Sequence, residues 1–165
     1  MGNPLISHQI VRDRVRALEL DAANRRQATT ALPEILGAAR IFSACGKKEL
    51  RAIAKAARIG VVPKNSTIMT EGDEGDTMYV LLVGSARVSR NGRKLATLGP
   101  GDAVGELALL SKGPRSATVV AQSDLEVAII SRRAFSKLLA DAPGFSRKLL
   151  ESLANVIRDL DKKVV

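Results

Sequence analysis

Two charged residues nine positions apart carry the chemistry of this chain. Glu106 opens the run Gly105-Glu106-Leu107-Ala108-Leu109-Leu110, and Arg115 follows the turn Gly113-Pro114. An arginine fork can give two charge-assisted hydrogen bonds to a phosphate. A carboxylate accepts from a sugar hydroxyl, a bond worth roughly 1.5–3 kcal/mol. Gly105 permits close backbone approach. Leu107 and Ala108 can offer N–H groups from a short helical turn, Ala108 without bulk that would block an anion. Ser116 adds a hydroxyl and an N–H, and Ala117 starts the next strand. The set suits a small ligand that carries both a phosphate and a free sugar hydroxyl. Taken alone, a Glu and an Arg at this spacing are better read as an ion pair that holds a loop.

The full pattern is more specific than the pair. Gly-Glu-Leu-Ala-Leu at 105–109, followed by Pro-Arg-Ser-Ala-Thr at 114–118, closely resembles the phosphate-binding cassette of cyclic nucleotide-binding domains. The similarity covers about residues 38–160. Glu71-Gly72-Asp73-Glu74-Gly75-Asp76, then Met78 to Gly84, looks like the family's glycine loop and following strand. Leu98-Gly99-Pro100-Gly101-Asp102 looks like the approach to the cassette, and Ile41-Phe42-Ser43 with Lys48-Glu49-Leu50 like the helical entry. Val104 departs from the pattern, since many members carry Phe before the cassette Gly; the change touches packing more than ligand contact.

The resemblance, to bacterial cAMP-receptor-like and protein kinase A regulatory-subunit-like domains, implies a mainly β fold. It would be an eight-stranded jelly-roll-like barrel (a double-stranded β-helix) with N-terminal helices and a C-terminal lid helix. It implies ligand contacts at Gly105, Glu106, Leu107, Ala108, Arg115, Ser116 and Ala117. Lid contacts to the base would come from 147–160, where Leu153, Asn155 and Arg158 are candidates; Asn155 and Arg158 equally read as solvent-facing. In eukaryotic members a hydroxyl residue after the cassette Arg often favours cyclic GMP. Bacterial regulators of the family carry Ser there and favour cyclic AMP, so Ser116 is read as compatible with cyclic AMP, with cyclic GMP as the lesser alternative.

These residues need a scaffold, and the hydrophobic pattern supplies one. Residues 5–28 read as a helix, with Ile10/Val11, Val15, Leu18 and Ala22 at helical spacing, and Thr30 is placed to cap the next short helix. Lys47 to Ile59 reads as a helix ended by Gly60. The pattern then changes to period two with turn residues. Strands are expected around Val61–Met69, from Met78 past Gly84 to Ser89, at Lys94–Leu98, Ser116–Ala121 and Leu125–Ile130. Asn91-Gly92 marks a tight type I′ hairpin. Ser131 is placed to cap a helix at 132–140, Pro143-Gly144 to break it, and 145–161 to form a last helix with Phe145, Leu149, Leu153, Val156 and Leu160 on one face. The expected division is a basic helical extension at 1–37 and the cyclic nucleotide-binding domain at 38–165. Within the latter, the barrel spans about 60–131 and the C-terminal helices 132–162.

Composition narrows the function class. Aromatics are three Phe, one Tyr and no Trp, so the core must be aliphatic. The single cysteine, Cys45, cannot form an internal disulfide, which fits a reducing cytoplasm. It reads as a small buried apolar residue, with its neighbours Lys47 and Lys48 leaving a reactive thiol as the alternative. No apolar run approaches the roughly 20 residues of a membrane span, and no signal peptide is evident at the start. His8 is the only histidine, and Asp73, Glu74 and Asp76 lack an EF-hand's ligand set, so no metal is expected. With no nucleophile–base set, the chain reads as a receptor and not an enzyme.

Net charge is +9, with 11 Lys/Arg against 5 Asp/Glu in 1–58, 7 against 8 in 59–131, and 8 against 4 in 132–165. Basic flanks read as solvated helix faces, or as surfaces for nucleic acid, an acidic protein or anionic lipid. The expected output is a ligand-driven shift of the last helix, recognised by an unidentified effector protein. The first helix is expected to carry specificity or homodimer contacts, with packing against the barrel as the equal alternative. Family regulators place a helix-turn-helix after the last helix. The chain ends at Val165, so DNA binding by that route is not expected. Nucleic-acid association through the basic helices, and a regulatory piece of a larger channel or kinase, stand as alternatives.

Overall fold

The structure is a computed structural model that describes residues 31–164. The helix expected at 5–28 and the cap expected at Thr30 lie outside the described residues. Helical turns at 31–37 lead into a 3-10 turn (Arg40–Phe42) and helix α1 (Lys47–Ala56). Eight strands follow: β1 (Arg58–Val62), β2 (Thr67–Met69), β3 (Thr77–Val83), β4 (Ala86–Arg90), β5 (Arg93–Leu98), β6 (Ala103–Val104), β7 (Thr118–Ala121) and β8 (Leu125–Ser131). A four-residue helix α2 (Leu107–Leu110) lies between β6 and β7, and α3 (Arg132–Asp141) and α4 (Pro143–Val164) follow β8.

The strands form two four-stranded antiparallel sheets, in the orders β1-β8-β3-β6 and β2-β7-β4-β5. This is the expected eight-stranded jelly-roll arrangement with flanking helices. Among the described residues, the two sheets face each other as a sandwich without strand pairing that closes a barrel.

The central strands explain the layering. Along β8, Leu125, Val127 and Ile129 point into the space between the sheets, and Ala128 and Ile130 point to the helices. Along β3, Tyr79 and Leu81 face the sheets, and Met78 and Val80 the helices. Both faces of these strands are covered, so both are apolar and the period-two signal becomes a continuous run. The helical core is closed by Phe42, Ile53, Phe135, Phe145 and Leu149, together with Leu32 and Leu36 from the segment before residue 38. Phe135 of α3 and Phe145 of α4 meet edge to face at 5.6 Å between ring centres.

Three expected boundaries are corrected. The strand expected from Met78 to Ser89 is two strands, β3 and β4, in different sheets. Gly84, at φ +92°, turns the chain between them, and a Cβ there would collide with the Asp124 carbonyl and approach Ser123 Oγ. The helix expected to reach Ile59 ends at Ala56, and Gly60 is a strand residue paired with Val127. The expected break after α3 is present at Ala142, but the last helix begins at Pro143 and not at 145: Pro143 and Gly144 are its first turn, where proline's missing N–H costs nothing. Asn91 and Gly92 do adopt positive φ (51° and 75°) at the β4–β5 hairpin. Ser131 Oγ accepts from the Ala134 N–H at 3.1 Å, the cap expected for α3.

Candidate functional site

The fold brings the two ends of the 105–116 segment to one pocket. Strand β6 pairs with β3 through Tyr79 and Val104, which delivers Gly105 beside Thr77. Gly105 has φ +80°, and a Cβ there would lie 2.7 Å from the Thr77 carbonyl and 2.5 Å from Arg115 Nη1. Only glycine fits both demands. The chain then makes the single-turn helix α2 and returns through Pro114, which bridges to Glu74. A cavity of about 180 Å³ is lined by Met69, residues 105–108, Ser111 and residues 113–116.

Arg115 is the centre of this cavity's chemistry. It is buried, at 8% exposure. Its Nη1 donates to the Thr77 carbonyl at 2.7 Å and its Nη2 to Thr77 Oγ1 at 3.1 Å. Thr77 Oγ1 in turn donates to Tyr79 Oη at 3.2 Å. Its backbone is clamped as well: Arg115 N–H donates to the Asp73 carbonyl at 2.7 Å, and its carbonyl accepts from Gly72 N–H at 2.9 Å. The 71–76 loop thus serves as the wall that fixes Arg115. Burial lowers the guanidinium's pKa from its ordinary value, Tyr79 and Asp76 oppose that, and Arg132 adds to it. Among the described residues, no carboxylate forms an ion pair with Arg115. A buried guanidinium ordinarily has an anionic partner. Its donors and its charge suit an anion that enters the cavity.

Glu106 is half-buried on the rim, at the head of α2. The ion-pair reading of Glu106 with Arg115 is not what the structure contains. Ala108 and Ala117 are buried, and Ser116 is exposed at the rim. The Ser116 carbonyl accepts from Arg90 Nε at 2.7 Å. One detail departs from expectation: the Ala108 N–H already donates to the Gly105 carbonyl at 3.1 Å, so it is engaged within the turn. The Leu107 amide makes no such turn bond among the described residues.

The expected lid residues are not brought to the cavity. Leu153 packs at the edge of the helical core. Asn155 and Arg158 are exposed on α4, where Arg158 Nη1 donates to Asn155 Oδ1 at 3.2 Å. Met69 lines the cavity and Thr77 and Gly75 pack against Arg115, and none of the three is among the expected contacts. Met69 carried no signal beyond an apolar strand position. Gly75 stands in the sequence only as one glycine of a polar loop.

A cyclic nucleotide-binding domain model matches residues 60–142 of the chain. The chain belongs to the cyclic nucleotide-binding domain family. The domain is 30% identical over 132 residues to a "CRP-like cAMP-activated global transcriptional regulator" of Mycobacterium tuberculosis, covering 77% of this chain and 59% of that protein. It is 34% identical over 138 residues to a cAMP-dependent protein kinase regulatory subunit of Yarrowia lipolytica, covering 82% of this chain and 36% of that one. It therefore spans less than two thirds of either relative. In structure, the domain is similar to a cyclic nucleotide-binding domain from Methylobacillus flagellatus, with TM-score 0.70, 27% identity, and coverage of 83% of this chain and 80% of that chain. Among the described residues no helix is long and apolar enough to cross a membrane, and no group of His, Cys, Asp and Glu is placed to hold a metal ion.

Proposed function

We propose that the domain is a cyclic AMP receptor. The observation that carries this is Arg115, buried and without a carboxylate partner among the described residues, at the wall of a cavity whose rim holds Glu106. Arg115 takes the cyclic phosphate. Glu106 accepts from the ribose 2′-hydroxyl. Gly105 and Ala108 leave room for both, the Leu107 amide and the Ser116 hydroxyl add donors, and Ala117 seats the strand beneath. The names of both curated relatives carry cAMP, which favours adenine over guanine.

Binding moves the C-terminal helix, and a partner protein reads the change. Leu107 stands 62% exposed beside the cavity, and α4 leaves Leu150, Ile157 and Leu160 uncovered. Apolar surface of this kind is what a bound base and a relocated helix would cover, with Leu153, Asn155 and Arg158 as the lid contacts. A ligand shifts such an equilibrium only by its differential contact with the two states. Calorimetric titration with cyclic AMP, cyclic GMP and 5′-AMP tests the reading. Micromolar or tighter binding of cyclic AMP with 5′-AMP inert is expected; absence of binding by either cyclic nucleotide overturns it.

A further inference from the structure

We propose that Arg132 is the positioning residue that couples the occupied cavity to helix α3. The inference rests on the receptor reading above. Arg132 is the first residue of α3, directly after the Ser131 cap. Its Nε donates to the Ala108 carbonyl at 2.6 Å, and its Nη2 to the Gly75 carbonyl at 3.0 Å. Its own N–H donates to the Asp76 carbonyl at 2.7 Å. One planar fork therefore holds α2, the loop behind Arg115 and the start of α3 together.

The two ends of that fork touch the two sides of the cavity. Ala108 lines it. Gly75 backs the Arg115 guanidinium so closely that a Cβ there would overlap it. A phosphate that draws Arg115 and the head of α2 inward must carry the Ala108 carbonyl with it. The short charge-assisted bond passes that movement to the first turn of α3. From there the buried Phe135–Phe145 contact leads to α4. Arg132 also disfavours the charge on Arg115, and an anion beside Arg115 relieves that repulsion. The free and bound states thus place different demands on the same link. A lysine has the charge but not the fork that spans both carbonyls.

The test is hydrogen exchange on the full chain with and without saturating cyclic AMP, read separately at 105–118 and 143–164, alongside calorimetric affinity. In the wild type, cyclic AMP is expected to change exchange in both segments. In Arg132→Gln, affinity should stay within about fivefold of the wild type by ordinary affinity arithmetic. Protection of 105–118 should persist, while the response of 143–164 falls at least several-fold. Arg132→Lys should behave like Arg132→Gln, and it stands in if the glutamine variant does not fold. A full response of 143–164 in the variants overturns the coupling role. So does a parallel loss of affinity and of both responses, which would make Arg132 part of the binding site. If the wild type binds no cyclic nucleotide, the receptor reading fails and the coupling fails with it.

Discussion

A Cβ placed on Gly75 would fall on the guanidinium of Arg115. The glycine does not have a positive φ, so its role is space. Gly75→Ala should therefore fold, yet push Arg115 out of its bonds to Thr77. Cyclic AMP affinity should drop by more than tenfold, with the melting temperature lowered only by the loss of those bonds, each worth about 1 kcal/mol. Calorimetry and a thermal melt on the same sample check this; unchanged affinity would show that Arg115 does not need its position.

Glu106 stands on the rim, without a basic partner among the described residues. If it accepts from the ribose, Glu106→Gln removes a charged hydrogen bond worth roughly 1.5–3 kcal/mol, or about 10–150-fold in affinity. The 2′-deoxy analogue of cyclic AMP should lose far less in the same variant. Equal losses for the two ligands would remove Glu106 from ribose recognition.

Ser131 caps α3 through the Ala134 N–H. Ser131→Ala should cost about 1 kcal/mol of stability, and Ser131→Asp should recover most of it. Denaturant unfolding reads both. No loss in the alanine variant would mean that solvent satisfies the helix end as well.

Cys45 has its thiol pushed up to about 11, first by burial and then by Glu49, with Lys148 opposing. The reactive-thiol alternative raised by Lys47 and Lys48 is therefore not favoured. A group with a raised folded pKa adds stability that is present below its unfolded pKa and is lost as pH climbs toward the folded value. The contribution of Cys45 should accordingly fade between about pH 9 and 11, as the difference between wild type and Cys45→Ala. At pH 8, alkylation should run at least about tenfold slower than for a free thiol, because the thiolate is the nucleophile. Alkylation as fast as that of glutathione would contradict the burial.

The parts of the fold readable from sequence were those fixed by local chemistry. Asn91-Gly92 admits few backbone shapes, and Ser131 before an apolar helix is a cap whatever surrounds it. The cassette was readable because glycine, acid and arginine are each demanded at one place. What escaped was set by distant partners. Gly84 looks like a weak point in one strand until Asp124 and Ser123 are seen to crowd it, and only then does it mark the change of sheet. Gly60 looks like a helix stop, but pairing with β8 makes it a strand. Arg132 reads in the sequence only as a cation at a helix start, because the carbonyls it grips lie 24 and 57 residues away.

The proposed receptor function depends on Arg115 holding the phosphate of cyclic AMP. The measurement that tests it most directly is calorimetric titration of cyclic AMP into wild-type protein and Arg115→Ala in parallel, with folding confirmed by thermal melts. Micromolar or tighter binding by the wild type and a loss of more than tenfold, about 1.4 kcal/mol, in the variant are expected. Binding of equal strength by two folded proteins would contradict it.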